Sequence, residues 1–225
     1  MSKGICCIFG AGEFDDNTLE DVKSSAMYLE NSFIIAADGG LDYLRKIDIT
    51  PNVILGDFDS VQGDMEGFAA STIVHYSTEK DHSDMMLAVK YGLNQGYREF
   101  HIYGALGGRV SHTLANIQLL AFICENDAKG YIFSKNTVIT AVKDGEIQFD
   151  ASYSGYISIY SHTDISEGVY LKGVKYELEN AILENNDTIG LSNEFIRKPA
   201  AISVTKGTLI IIIEGRTQSV LPRET

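Results

Sequence analysis

The chain is short of basic residues and of long apolar runs, and both shortages exclude classes of protein. Of its 225 residues, 18 are Lys or Arg and 31 are Asp or Glu, which gives a formal net charge of −13. A field of this sign repels nucleic acid and anionic membrane surfaces and favours a cationic partner. Since no apolar run approaches the length of a membrane span and the first residues lead straight into a strand-like segment, we expect a cytoplasmic location.

Cysteine is also scarce, which argues against a zinc site and a disulfide scaffold. The three cysteines, Cys6, Cys7 and Cys124, have no CxxC or CxxH spacing. We therefore expect reduced, buried thiols. With 44% hydrophobic residues the chain can bury the core of one large domain or two small ones.

Apolar runs alternate with helical patterns through residue 134. The runs are short, rich in apolar or β-branched residues and bounded by Gly, Asp or Ser, which is typical of strands buried on both faces. This alternation predicts an α/β domain at 1–134 with a doubly wound, Rossmann-like parallel sheet. The predicted strands are Gly4–Phe9, Phe33–Ala37, Val53–Leu55, Ile73–Tyr76, Phe100–Tyr103 and Tyr131–Phe133.

From residue 135 to 225 the pattern predicts strands only, and therefore an all-β sandwich or barrel domain. Asp144-Gly145 separates two strand-like runs and predicts a hairpin with a type I′ turn. Lys206-Gly207 predicts another tight turn, and Tyr176–Leu178 a short strand.

Acidic residues follow two of the predicted strands, in Asp38-Gly39-Gly40 and in Gly56-Asp57-Phe58-Asp59-Ser60. Ligands bind at the carboxyl edge of a parallel sheet, and two extended residues that are two positions apart point the same way. Asp57 and Asp59 therefore suit one metal ion. The alternative is a polar turn in which the Asp side chains accept local N–H groups.

Lys80-Asp81-His82-Ser83-Asp84 opens a predicted helix, where capping by Asp81 or Ser83 would explain the residue types without any function. Acidic groups at three successive strand ends nevertheless favour a divalent cation. Gly104 to Arg109 adds a Gly-rich turn and a guanidinium, which suit phosphate oxygens but are less specific than a Walker A motif. Gly10-Ala11-Gly12 lacks the third glycine of a dinucleotide fingerprint, so we predict no NAD site.

In these stretches the sequence resembles the thiamin pyrophosphokinase family. The resemblance runs in order from residue 38 to 194, and the combination is far more specific than any one part. The matching segments are Ala37–Gly40, Gly56–Ser60, Glu79–Asp84, Gly104–Arg109 with His112 and Asn116, Gly173–Leu178 and Leu191–Glu194.

The resemblance implies an ATP-binding α/β domain, a thiamin-binding β domain that also forms the dimer, and a homodimer with active sites between subunits. It implies that the thiamin hydroxyethyl oxygen attacks the β-phosphorus of ATP, giving thiamin diphosphate and AMP. It also implies Mg²⁺ as the cofactor.

The resemblance assigns the site residues in four groups. Mg²⁺ would be held by Asp57, Asp59 and Asp81. Catalytic roles fall to Asp38, Asp57, Asp59, Asp81, Asp84 and Arg109. ATP and its phosphates would contact Gly39, Gly40, Ser60, Lys80, Gly107, Gly108, Arg109, His112 and Asn116. Thiamin would contact Tyr176, Leu191, Ser192 and Asn193. Whether Asp38 and Asp84 complete the metal shell through water, or one carboxylate accepts the hydroxyl proton, stays open.

Two positions depart from the family pattern. Ser111 stands where the family commonly has Asp, which puts a catalytic role of that position in doubt, and Tyr176 stands where many relatives have Trp. Two alternatives stay open. One is diphosphate transfer to another hydroxymethyl heterocycle, such as a pterin; the other, suggested by Ser111, is a nucleotide- or thiamin-binding module without turnover.

Overall fold

The computed structural model describes residues 3–14, 29, 31–57, 68–77, 81–215 and 221–224. The chain divides into two compact units, the first formed by 1–119 with 126–135 and the second by 120–125 with 136–225. Within the described ranges, none of the helices is both long enough and apolar enough to span a membrane.

The first unit is built on six parallel strands that pair in the order β6-β5-β1-β2-β3-β4. The strand order reverses between β1 and β5, so the loops after these two strands diverge at a topological switch point. The coarse prediction of an α/β fold is confirmed. The elements are β1 (Cys6–Phe9), β2 (Phe33–Ala37), α1 (Gly40–Lys46), β3 (Val53–Gly56), β4 (Thr72–His75), α2 (Asp84–Asn94), β5 (Glu99–Tyr103), α3 (Val110–Glu125) and β6 (Lys129–Ser134).

Helices pack on both faces of these parallel strands. Alternate residues of a strand point to opposite faces, so Cys7 and Phe9 share one face of β1 and Cys6 lies on the other. Cys7 and Phe9 are buried in one cluster with Leu41 of α1. Gly92 of α2 faces Cys6, since a Cβ at Gly92 would lie 3.1 Å from the Cys6 sulfur.

The second unit contains antiparallel strands in two groups. Four strands pair in the order β12-β9-β14-β7, and five form a separate sheet in the order β11-β10-β13-β8-β15. Both groups contribute buried side chains to one apolar core. The strands are β7 (Thr137–Lys143), β8 (Glu146–Phe149), β9 (Tyr156–Ser161), β10 (Ile165–Lys172), β11 (Leu178–Glu184), β12 (Asn193–Glu194), β13 (Ala200–Ser203), β14 (Thr208–Glu214) and β15 (Arg223–Glu224).

The predicted hairpin at Asp144-Gly145 is wrong. β7 pairs with β14, whereas β8 pairs with β13 and β15, so the connection passes from one sheet to the other. Of the two turn residues only Asp144 has a positive φ, 47°, whereas a type I′ turn needs two. At Lys206-Gly207 the chain passes in the opposite direction, from β13 in the five-stranded sheet to β14 in the other group. The Gly207 N–H donates to Asp144 Oδ1 at 2.8 Å, which ties the two crossings together.

The predicted strand Tyr176–Leu178 is also wrong, because the strand begins at Leu178. β11 is irregular: Asn180 has a φ of 47°, and its pairing with β10 contains two register shifts. Tyr176 therefore lies in the irregular segment before β11. Its side chain does not have to follow the alternating up-and-down direction of side chains in a strand.

Candidate active site

Asp38 and Asp57 lie at neighbouring strand ends. The Asp38 N–H donates to the Leu55 carbonyl at 2.8 Å, which continues the pairing of β2 with β3. A Cβ at Gly56 would lie 3.2 Å from the Asp38 Cα, so the glycine lets these two strand ends come close. Both aspartates are half-buried. The parallel sheet thus brings two of the predicted carboxylate residues to one edge.

The backbone at Asp38-Gly39-Gly40 is shaped by the close packing of α1 on β1. Asp38 has a φ of 49°, a left-handed conformation that Asp tolerates better than most residues. Gly40 begins α1, and a Cβ there would lie 1.9 Å from the Phe9 carbonyl oxygen. Gly40 is therefore required by packing, whatever its role toward a ligand.

Ser83, and not Asp81, caps α2. The Ser83 Oγ accepts the Met86 N–H at 3.3 Å, and Ser83 has the extended backbone of an N-cap residue. Asp81 lies exposed before the cap, and Asp84 is the first helical residue. Helix capping therefore explains why a serine stands at position 83, but it does not explain why an aspartate stands at position 81. The exposed Asp81 carboxylate is thus available to a ligand.

This arrangement predicts different stabilities for two alanine variants. Ser83→Ala should lower the free energy of unfolding by about 1 kcal/mol, because the N-cap acceptor is lost. Asp81→Ala should change it by less than about 0.5 kcal/mol, as expected for an exposed position without a cap. Urea unfolding of both variants checks this. An Asp81→Ala variant as unstable as Ser83→Ala would mean that Asp81 shares the cap.

The Gly104–Arg109 loop leads directly into α3. The Arg109 carbonyl accepts the N–H groups of His112 and Thr113 at 3.0 and 3.1 Å, so Arg109 stands at the helix start with an exposed side chain. His112 is exposed in the first turn. Asn116 is buried, and its Nδ2 donates to the Ala105 carbonyl at 2.7 Å. The Asn116 amide therefore holds the loop from the helix side.

A second loop, Gly10–Glu13, packs against this one, a contact that was not predicted from the sequence. The Gly12 and Glu13 N–H groups donate to the carbonyls of Gly104 and Leu106, both at 2.8 Å. A Cβ at Gly12 would lie 2.5 Å from each of these oxygens, so the contact requires glycine. We call this pair of loops, 10–13 and 104–109, the loop clasp. A glycine-rich turn directly after a buried strand was the only local signal for it.

The aromatic side chain of Tyr43 holds the loop clasp from α1. Its hydroxyl donates to the Gly12 carbonyl at 2.9 Å. Burial, and then the nearby charges of Glu13 and Asp42, raise the pKa of Tyr43. The hydroxyl therefore keeps its proton and stays a donor at neutral pH.

The predicted metal ligands are only partly described. Asp59, Ser60 and Lys80 lie outside the described residues. Among the residues that are described, no three His, Cys, Asp or Glu side chains come together as a metal-binding group. Asp38 and Asp57 at adjacent strand ends offer carboxylate oxygens, which are the hard ligands that Mg²⁺ prefers. The donor chemistry of this edge therefore fits the predicted ion.

In the second unit, the two segments predicted to bind thiamin lie side by side. Val174 forms a bridge with Phe195, and the Lys175 N–H donates to the Glu194 carbonyl at 2.9 Å. Residues 174–175 thus pair antiparallel to 194–195. This places Tyr176 beside Asn193.

Asn193 uses its side chain to fix the backbone of Tyr176. The residue is 3% exposed, its Oδ1 accepts the Tyr176 N–H at 2.9 Å, and its Nδ2 donates to the Tyr176 carbonyl at 2.6 Å. Asn193 is therefore a positioning residue for Tyr176. The predicted hydrogen bond from Asn193 to thiamin stays a prediction.

Tyr176 is 59% exposed, and a cation already lies near one face of its ring. The Lys175 Nζ lies 5.3 Å from the ring centroid and forms an ion pair with Glu194 Oε1 at 2.7 Å. This hydrogen bond to Glu194 is the main cause that raises the pKa of Lys175, so the ammonium stays charged. A cationic ring would therefore stack on the opposite face of Tyr176.

Leu191 and Ser192 complete this predicted set on the surface. Leu191 is 47% exposed, and Ser192 is exposed with a φ of 55°. The Ser192 N–H donates to Ser158 Oγ at 3.1 Å, so its own hydroxyl is not needed for this contact.

Comparisons with known proteins agree with the resemblance. Residues 25–132 match the family model "Thiamin pyrophosphokinase, catalytic domain", and residues 144–209 match "Thiamin pyrophosphokinase, vitamin B1 binding domain". The thiamine pyrophosphokinase of Bacillus subtilis (strain 168) is 32% identical over 187 residues, which cover 81% of this chain and 87% of that protein.

Solved structures share the fold. The crystal structure of thiamine pyrophosphokinase from Bacillus subtilis has a TM-score of 0.82 and 27% identity, with 95% of this chain and 100% of that chain covered. For thiamin pyrophosphokinase from Geobacillus thermodenitrificans the TM-score is 0.79 and the identity 25%, with 96% and 100% covered. The chain therefore belongs to the thiamin pyrophosphokinase family, whose enzymes transfer the pyrophosphoryl group of ATP to thiamin.

Proposed function

We propose that the chain carries out the reaction of its family with ATP bound at the carboxyl edge of the first unit's strands and thiamin bound beside Tyr176. The observation that carries this proposal is the parallel strand order, which brings Asp38, Asp57 and the loop clasp to one edge. In this proposal, 1–134 is the ATP- and Mg²⁺-binding domain, and 135–225 is the sandwich domain that binds thiamin and forms the dimer.

The triphosphate would lie against the loop clasp and the start of α3. The start of α3 presents the positive end of the helix dipole, and the exposed Arg109 guanidinium can bind two phosphate oxygens. Gly107 and Gly108, with φ values of 85° and 62°, leave the backbone open to close approach. We assign the remaining contacts to ATP as predicted: Gly39, Gly40, Ser60, Lys80, His112 and, through its hold on the loop, Asn116.

Mg²⁺, held by Asp57, Asp59 and Asp81, would neutralise charge on the triphosphate when bound. The carboxylates of Asp38 and Asp84 have two possible tasks in this proposal. They bind water in the metal's outer shell, or one of them takes the proton from the thiamin hydroxyl.

The transfer itself needs positioning more than covalent chemistry. The thiamin hydroxyethyl oxygen forms a bond to the β-phosphorus of ATP, and the bond from that phosphorus to the oxygen bridging to the α-phosphorus breaks. AMP leaves with that oxygen, and the hydroxyl proton passes to a carboxylate. Arg109 would stay with the phosphoryl oxygens as their charge shifts.

On the thiamin side, Tyr176 would stack on the cationic thiazolium, with Leu191 beside the ring and hydrogen bonds from Ser192 and Asn193 to the pyrimidine. The net charge of −13 favours such a cationic substrate. The homodimer with active sites between subunits and the cytoplasmic location stay part of the proposal.

Tyr176→Ala tests the thiamin assignment. It should raise the KM for thiamin several-fold with little change in the KM for ATP, because one cation–π contact contributes about 1 kcal/mol. Tyr170→Ala is the matched control, since Tyr170 also has a lysine ammonium near its ring, at 5.4 Å, but belongs to neither thiamin segment. Steady-state kinetics with each substrate varied measures both constants. An unchanged KM for thiamin in Tyr176→Ala, or an equal rise in both variants, would contradict the stacking role.

Two alternatives remain distinguishable by experiment. A pterin-type acceptor would compete with thiamin for turnover, and competition between the two acceptors decides this. A binding module without turnover would retain ATP and release no AMP over hours. Both family matches favour thiamin as the acceptor.

A further inference from the structure

We propose that the Glu13 carboxylate accepts the Gly108 N–H when no nucleotide is bound, and that the phosphates of ATP must displace this carboxylate to reach the N–H. Glu13 would thus lower the affinity of the loop clasp for polyphosphate that carries no neutralising metal. This inference rests on the proposed function, because it takes the Gly107-Gly108 turn as part of the phosphate site.

The Glu13 carboxylate lies where an anionic ligand of this turn would lie. Its Oε1 accepts the Gly108 N–H at 3.2 Å. Its side chain also covers the turn: a Cβ at Gly107 would lie 2.5 Å from the Glu13 Cγ and 2.6 Å from its Cδ. A phosphate oxygen that approaches the Gly108 N–H must therefore meet the Glu13 side chain first.

The loop clasp does not need the Glu13 carboxylate to hold its shape. The Glu13 and Gly12 N–H groups already bind the carbonyls of Leu106 and Gly104, and Tyr43 binds the Gly12 carbonyl. These bonds use the backbone or another side chain. Glu13 is exposed, so its side chain can swing into solvent while the two loops stay paired.

The Glu13 carboxylate and a phosphate group compete for the Gly108 N–H, because both are anions. A carboxylate and a phosphate both bind backbone N–H groups at a helix start, and two anions near one donor repel each other. Displacing Glu13 costs its hydrogen bond and leaves its charge near the incoming anion. Removing that charge should therefore favour metal-free polyphosphate.

Glu13→Gln is the decisive variant, since Gln keeps the shape and an acceptor oxygen but loses the charge. We expect it to bind inorganic tripolyphosphate without metal about two- to fivefold more tightly than the unchanged chain in low salt, as measured by calorimetry. The gain should shrink in roughly 0.5 M salt, because screening weakens exposed charges. Asp48→Asn is the matched control: it removes one exposed carboxylate just after the end of α1, which belongs to neither loop of the clasp, and should not change binding.

Weaker binding in Glu13→Gln would overturn the inference and make the carboxylate a support of the site, and so would unchanged binding. Arg109→Met separates these failures from failure of the proposed phosphate site. It should weaken tripolyphosphate binding about tenfold. If Arg109→Met weakens binding while Glu13→Gln does not strengthen it, the phosphate site stands and only the role of Glu13 is wrong. If neither variant changes binding, the proposed phosphate site is wrong as well.

Discussion

Asp57→Asn should lower turnover on the order of 100-fold or more while the protein stays folded, because the change removes a charge from the group of oxygens that would hold Mg²⁺. Asp57 directly follows β3, and Gly56 brings this strand end close to Asp38. An amide has the same shape and fits a half-buried strand end, so stability should change little. Initial rates of AMP formation over a range of Mg²⁺ concentrations measure the loss.

A matched variant separates the metal role from a general effect of Asp→Asn changes. Asp127 is exposed, lies before β6 and has a φ of 52°, a conformation that Asn also adopts, so Asp127→Asn should keep full turnover. Asp59→Asn should behave like Asp57→Asn. Turnover of Asp57→Asn within a few-fold of the unchanged protein, with the same need for Mg²⁺, would refute the metal role.

Gly40→Ala should lower the free energy of unfolding by about 3 kcal/mol or more, or prevent folding. The added Cβ would lie 1.9 Å from the Phe9 oxygen and 3.0 Å from the Gly10 nitrogen, which are both backbone atoms. Phe9 ends the central strand β1 and is fully buried, so its carbonyl cannot move away without disturbing the sheet. Urea unfolding followed by circular dichroism measures the change.

Gly4→Ala is the control for this prediction. A Cβ at Gly4 would find only the Asn31 oxygen, at 3.7 Å, which is ordinary contact. Its free energy of unfolding should stay within about 0.5 kcal/mol of the original. A Gly40→Ala protein that unfolds within about 1 kcal/mol of the original would show that α1 can move off β1, against the packing described here.

The parallel strands were predictable because each is a short apolar run with a turn signal at its end. Phe33–Ala37 was predicted with its observed bounds, and Val53–Leu55 falls one residue short of β3. Because parallel strands share one carboxyl edge, the proximity of Asp38 to Asp57 followed from sequence alone.

In the second unit, the sequence did not predict which strands pair with each other. Asp-Gly between two strand-like runs looks the same whether the chain turns back on its own sheet or crosses to another. The crossing at Asp144 is decided by β13 and β14, which are more than fifty residues away. Local sequence carries no information about that pairing.

The loop clasp and the role of Asn193 were missed for a related reason. Gly10-Ala11-Gly12 does not fit a dinucleotide fingerprint, and its importance comes from contact with residues 104–108, some ninety positions away. Asn193 is predicted to contact thiamin because Leu191–Glu194 resembles a thiamin-binding segment of the family. Its burial, which turns its amide toward the Tyr176 backbone, is a tertiary property.

The most direct test of this account is AMP formation from ATP and Mg²⁺, with and without thiamin, together with the mass of the thiamin product. The account predicts AMP only when thiamin is present, with one thiamin diphosphate formed for each AMP. AMP released at the same rate without thiamin, or thiamin recovered unchanged while AMP accumulates, would contradict it.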